Sequence, residues 1–168
     1  MRYSVPVPPL ASMLALAASF PQRVIAPGTI LLEEGRRTGV LYVLEGGTVE
    51  ILKAGVPITS VSQPGSVFGE VSILLDHPHI ATVRVTVESR FREICDPMPF
   101  LRAHPDAALH VSVLLAQRLS AVTAYLVDLK RQHEDRRDHL ARVDDVLANL
   151  LHLQSRPKAG FPPAPSSV

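Results

Sequence analysis

The sequence predicts a mainly β fold with flanking helices, and three observations carry that expectation. Between residues 23 and 94, short β-branched runs alternate with Pro/Gly turn signals about every 8–12 residues. After Asp106 that texture stops, and apolar residues recur at helical spacing instead. The chain has 168 residues, 46% hydrophobic and 20% charged, which is enough for one globular domain with its own core.

The elements follow in order. Residues 1–9 read as an extended, proline-rich arm. Residues 10–20 read as a helix with Leu10, Met13, Leu14 and Ala17 on one face. This apolar stretch superficially matches a secretory leader. However, Pro6, Pro8 and Pro9 occupy the place of a charged leading segment, and the run is too short to span a bilayer, so a packed helix is expected. Val24-Ile25 runs into Pro27-Gly28, and Thr29-Ile30-Leu31-Leu32 into Glu34-Gly35. Val40-Leu41-Tyr42-Val43-Leu44 leads to Gly46-Gly47, and Thr48-Val49-Glu50-Ile51-Leu52 to Ala54-Gly55. Pro57-Ile58-Thr59-Ser60-Val61 ends at Pro64-Gly65. The Phe68-Gly69-Glu70 turn and the apolar stretch 71–75 follow, and then runs 81–87 and 91–95. About eight strands in so short a span predict a jelly roll or small barrel rather than an open sheet. Cys95 reads as a buried strand residue.

Leu115, Leu119, Val122, Leu126 and Leu129 are spaced 4, 3, 4, 3, a heptad seam on a long helix. Residues 130–142 mix Lys130, Arg131, Arg136, Arg137 and Arg142 with Glu134, Asp135 and Asp138, and read as a solvated helical segment. Val143, Val146, Leu147, Leu150 and Leu151 suggest a short amphipathic helix. The expected organisation is an N-terminal arm and helix (1–22), a β-barrel (23–105), a long and a short helix (106–153) and a disordered tail (154–168).

A net charge of +1 gives no bulk electrostatic attraction to nucleic acid or an anionic membrane. With one cysteine the chain has no internal disulfide, in keeping with a cytoplasmic protein.

The chemistry concentrates at Phe68-Gly69-Glu70, with His79-Ile80-Ala81-Thr82-Val83 beginning nine residues after the glutamate. A Gly-Glu turn between apolar segments puts backbone N–H groups and one carboxylate at one spot. Such a turn can hold an anionic group and a sugar hydroxyl together.

The ordered set Pro27-Gly28, Glu34-Gly35, Leu41-Tyr42-Val43-Leu44-Glu45-Gly46-Gly47, Pro64-Gly65, Phe68-Gly69-Glu70 and Ala81-Thr82-Val83 resembles the cyclic nucleotide-binding domain. That family includes the effector halves of catabolite activator protein and the regulatory subunits of protein kinase A. The resemblance covers roughly residues 23–129. It implies a double-stranded β-helix (jelly roll) with a short N-terminal helix and a long C-terminal dimerisation helix. It also implies a phosphate-binding cassette in which the amides of Gly69 and Val71 hold the cyclic phosphate and Glu70 accepts from the ribose hydroxyl. Where the family carries an arginine for the phosphate, and a small or hydroxyl residue after it, this chain has His79 and Ile80. The Thr-Ser pair that meets the base in bacterial members maps onto Val122 and Thr123. Thr123 can equally bond its own helix backbone.

An arginine-phosphate contact is bidentate and always charged, whereas a histidine near its ordinary pKa is mostly neutral at pH 7. The resemblance therefore implies a stand-alone regulatory sensor domain with weakened or altered ligand recognition, cAMP or cGMP being the candidate ligands. The family's bacterial DNA-binding module needs more chain than the 39 residues after Leu129, so no direct DNA binding is expected. A homodimer through Leu115, Leu119, Val122, Leu126 and Leu129 is expected, with a protein partner downstream and no membrane.

Two alternatives stand beside this reading. One is a dimeric scaffold or adaptor with an empty pocket. The other is a metal-dependent cupin-type enzyme, since His77-Pro78-His79 matches a His-x-His pair. The cupin pattern also wants a glycine at position 71, which is Val71, and a glutamate at position 83 or 84, which are Val83 and Arg84. No catalytic residue and no metal or required cofactor is therefore expected.

Overall fold

In the computed structural model, residues 10–132 and Val146 are described. The readings for residues 1–9 and, apart from Val146, for 133–168 lie outside them. The chain separates into two compact units, Met1–Leu115 and Ala116–Val168.

The first unit begins with α1 (Leu10–Ala17), whose Met13 and Ala17 are fully buried, as the apolar spacing requires. Six strands follow: β1 (Gln22–Ile25), β2 (Ile30–Leu32), β3 (Leu41–Lys53), β4 (Val56–Val61), β5 (Val67–Phe68) and β6 (Thr82–Ile94). All pairings are antiparallel. The sheet runs β1-β6-β3-β4, with β2 also on β6 and β5 also on β3. This is the predicted jelly-roll class.

The eight expected segments become six strands: two pairs fuse, the stretch 71–75 is helical, and Val67–Phe68, not expected as a strand, forms β5. Leu41-Tyr42-Val43-Leu44 and Thr48-Val49-Glu50-Ile51-Leu52 form the single strand β3, and runs 81–87 and 91–95 fall largely within β6. Gly46-Gly47 bends β3 without ending it, as successive register shifts against β6 between Leu44 and Val49 show. Gly47 sits at φ +112°, and a Cβ there would lie 2.1 Å from Ser89 Oγ, which accepts the Thr48 N–H at 3.0 Å. Glycine is thus required for the two strands to approach.

The apolar stretch after the Phe-Gly-Glu turn is helical: α2 spans Glu70–Leu75. A further helix, α3 (Pro97–Ala103), opens with proline in its first turn, where a missing N–H costs nothing. Cys95 corrects the sequence reading: it is exposed, because β6 ends at Ile94 and the chain turns outward toward α3.

Helix α4 (Pro105–Gln132) starts inside the first unit. Its Ala107 and Val111 are buried with Met13, Leu41, Val43, Val67, Ile94 and Phe100 in one core cluster. A second cluster joins Leu32, Leu44, Val49, Phe68, Val83, Val85 and Phe91 inside the roll. By length and composition alone, Pro105–Leu129 could cross a bilayer. Ala107, His110 and Val111 tie its start to this core, while most of its other residues are exposed or half-buried. In the second unit, α4 continues with Leu119 and Val122 exposed (44% and 52%) and Leu126 and Leu129 half-buried.

Candidate functional site

The site grows from β5. Phe68 is buried and packs edge-on against Phe91, with ring centroids 6.4 Å apart. The chain then turns at Gly69, φ +95°, ψ −7°. A Cβ at Gly69 would lie 2.5 Å from the Val40 carbonyl oxygen, so both the left-handed backbone and the close approach demand glycine. That turn caps α2 and brings Glu70 inward: it is 4% exposed. A glutamate on an exposed turn would have stayed in water; this one opens a helix at the start of the cassette.

The far side of the cassette is closed by local bonds. The Ser72 hydroxyl donates to the His77 carbonyl at 2.5 Å, and the His77 N–H donates to the Ser72 carbonyl at 3.2 Å. Asp76, at φ +51°, caps α2, and its carboxylate accepts from Arg37 Nη1 at 2.8 Å.

His79 is 5% exposed and doubly tied to the β2–β3 connection. Its N–H donates to the Arg36 carbonyl at 2.8 Å, and its carbonyl accepts from the Gly35 N–H at 2.9 Å. Nε2 lies 3.0 Å from Thr38 Oγ1. Burial holds its pKa below the ordinary histidine value, so the ring is neutral near pH 7. Position 79 therefore presents a neutral, hydrogen-bonded imidazole and no fixed cation.

Ile80 is half exposed, and its carbonyl accepts from Lys53 Nζ at 2.5 Å. Lys53 also bonds Glu34 Oε1 at 2.5 Å, while Glu34 Oε2 accepts from the Ala54 N–H. The Lys53 hydrogen bond, seconded by that amide, holds the Glu34 pKa below the usual carboxylate range. The Glu34 N–H in turn donates to Thr82 Oγ1 at 3.0 Å.

Gly69, Glu70, Val71, His79 and Ile80 thus lie on one short segment of the first unit. Val122 and Thr123 belong to the second unit. Thr123 Oγ1 donates to the Leu119 carbonyl at 2.8 Å, the local bond that its helix position invites. Sequence reasoning missed Thr38 and Lys53 as neighbours of position 79–80. The loop at Thr38 and the hairpin end at Lys53 are brought there by tertiary packing, and no local pattern marks either. His77 and His79 are each otherwise engaged, Nδ1 of His77 with the Pro78 carbonyl and Nε2 of His79 with Thr38. Among the described residues no group of three or more His, Cys, Asp or Glu converges as a metal site.

With this geometry in place, the comparisons with known proteins agree. Residues 22–95 match the family model of the cyclic nucleotide-binding domain. Over 69 residues, 40% of this chain, the sequence is 36% identical to the cAMP-dependent protein kinase regulatory subunit of Yarrowia lipolytica, covering 18% of that protein. The chain spans less than a fifth of the length of the curated relatives it matches. The catabolite activator protein of Thermus thermophilus has a similar structure, with a TM-score of 0.57 at 20% identity, over 91% of this chain and 85% of that one. A protein solved in work on a cyclic-GMP-dependent signalling pathway of bacterial phytopathogenesis gives 0.56 at 24% identity, over 66% of this chain and 94% of that one. Likeness at these identities speaks for the fold. The family model matches residues 22–95 as a cyclic nucleotide-binding domain, and the fold is that of catabolite activator protein-like regulators.

Proposed function

We propose that the cyclic nucleotide-binding domain carried by residues 22–95 serves as a regulatory sensor whose ligand recognition is weakened or altered at position 79. The observation that carries this reading is the buried Glu70 beside the left-handed Gly69. It supplies an inward carboxylate, suited to a ribose hydroxyl, at the start of a helical turn. Gly69, Glu70, Val71, His79 and Ile80 form the ligand-facing set in this proposal. The candidate ligand is cAMP or cGMP.

A buried neutral imidazole is a poor substitute for a guanidinium. Losing one charge-assisted contact costs about 1.5–3 kcal/mol, or roughly 10–150-fold in affinity. Calorimetric titration with cAMP and cGMP at pH 6 and pH 8 tests the reading. If His79 touches the phosphate, binding tightens only as pH falls below about 6.5, because burial lowers its pKa. A flat pH response removes His79 from the anion, and loss of binding in Glu70→Gln supports the ribose contact. Should neither nucleotide bind even at millimolar concentration, the reading passes to a dimeric scaffold with an empty pocket. The commitment of His79 Nε2 to Thr38 favours that second reading.

The module acts as a homodimer through the seam Leu115, Leu119, Val122, Leu126 and Leu129, signals to a protein partner and works in the cytoplasm. Neither DNA nor membrane is its direct target, and it catalyses no reaction. The exposure of Leu119 and Val122 in the isolated chain supports the seam. Leu119→Lys or Leu126→Lys gives a monomer by light scattering; a dimer in both variants sinks it.

A further inference from the structure

Outside the cassette, the first turns of α4 hold a buried group that the site does not use. His110 is 3% exposed, and its Nε2 is the one buried side-chain nitrogen or oxygen among the described residues without a hydrogen-bond partner. The Gly65 backbone lies close enough to act on its ring, and Val67, two residues further on, shares a core cluster with Ala107 and Val111 on either side of His110. Gly65 turns the chain between β4 and β5 at φ +86°, and its own N–H donates to the Leu44 carbonyl at 2.7 Å. Two residues later β5 begins, and β5 leads directly into Gly69 and Glu70. One imidazole therefore joins the start of α4 to the turn that feeds the cassette. Ala107 and Leu114, on the same helix face, pack in the core with Met13, Leu41 and Val67.

Little around this ring would welcome a charge. Neither α1, the turn at 63–66 nor β5 carries a titratable side chain. The titratable groups on the neighbouring elements of the first unit are Tyr42 and Glu45 on β3, Arg102 and His104 at the end of α3, and Asp106 one helical turn before His110 on α4. Burial, first, disfavours the protonated ring, and the Gly65 backbone only partly opposes that. An imidazolium here has a second N–H with no acceptor, and relief requires water or a moved helix.

We propose that His110 is an acid-sensitive latch: neutral, it holds the first turns of α4 against the 63–66 turn, and protonated, it releases them from the strand that enters the cassette. The ordinary ring protonates near pH 6.5, and the folded one below that. The contact is intact above about pH 6.5 and weakens as pH falls from there toward the lower folded-state value. Release would uncouple α4 from the cassette whichever ligand the cassette takes.

Two measurements on the full chain test this. Amide exchange, corrected for the intrinsic pH dependence of the chemistry, is compared at pH 5.5 and 7.5 for wild type, His110→Asn and, as a control for the other buried imidazole, His79→Asn. Amides of residues 107–114 and 65–70 should lose protection by up to about tenfold at the lower pH in wild type and in His79→Asn, with the β3–β6 ladder unchanged. In His110→Asn that ratio should fall to about one. The wild-type ring titration by nuclear magnetic resonance should show His110 protonating below an exposed histidine. An unchanged ratio in His110→Asn, or a ring titrating normally, overturns the latch. If His110→Asn does not fold, the ring titration and the wild-type exchange decide.

Discussion

The β3–β6 ladder and the cassette between Gly69 and Ile80 are built on opposite principles. The ladder is two thirteen-residue strands whose buried positions are apolar, apart from Ser89 at the bend: Leu41, Val43, Leu44, Val49 and Leu52 on β3, Val83, Val85, Phe91 and Ile94 on β6. Its stability is spread over many interchangeable contacts. The cassette buries polar groups instead, Glu70, Ser72 and His79, each placed by one or two specific bonds or a single backbone conformation. A roll of this kind tolerates many sequences, while its ligand chemistry turns on single residues. This explains how residues 22–95 can match a family model through the roll while the proposed ligand contacts rest on a few residues such as Glu70 and His79.

The contrast predicts an order of effects. Phe91→Ala should cost the most, about 3–5 kcal/mol in denaturant unfolding, because Phe91 is fully buried between Phe68 and Tyr42. If it costs less than about 1 kcal/mol, the second core cluster is not what holds the roll. Gly69→Ala should come next, at about 1–3 kcal/mol from strained backbone alone, with loss of any nucleotide binding. His79→Arg restores a cation at the cassette and should tighten cAMP or cGMP binding roughly 10–150-fold by calorimetry, while lowering the melting temperature through loss of the Thr38 bond. Unchanged affinity would place the anion elsewhere. Thr38→Val, which removes one hydrogen bond to a buried ring, should cost about 0.5–1.5 kcal/mol.

Acid sensitivity separates the regions again. His79 and His110 both have pKa values lowered by burial, so the unfolded chain takes up protons that the folded chain resists. Stability therefore falls as pH drops below about 6.5, the unfolded histidine value, and is flat above it. Urea midpoints at pH 5.5 and 7.5 in His79→Asn and His110→Asn should show each substitution removing part of that fall.

Much of this was legible before any coordinates. The Pro-Gly and Gly-Gly punctuation marked strand ends and bends, because turns need backbone conformations that few residues supply. Met13 and Ala17 were placed correctly in the core by spacing alone. The 71–75 stretch was less readable, since five apolar or small residues suit a strand or a helix equally, and the Gly69 turn decided for the helix. Cys95 was misplaced because strand ends carry no sharp signal. His110 drew no notice, as one histidine in an apolar helix looks like any other until Gly65 is seen beside it.

Local chemistry was enough to specify the roll, its turns and the Gly-Glu step, since periodicity and special backbone conformations are written in neighbouring residues. The environment of the two buried imidazoles was settled by packing. Thr38 reaches His79 across 41 positions, and Gly65 meets His110 from another element. Whether a histidine is charged depends on what surrounds it in space, and chain order does not encode that distance.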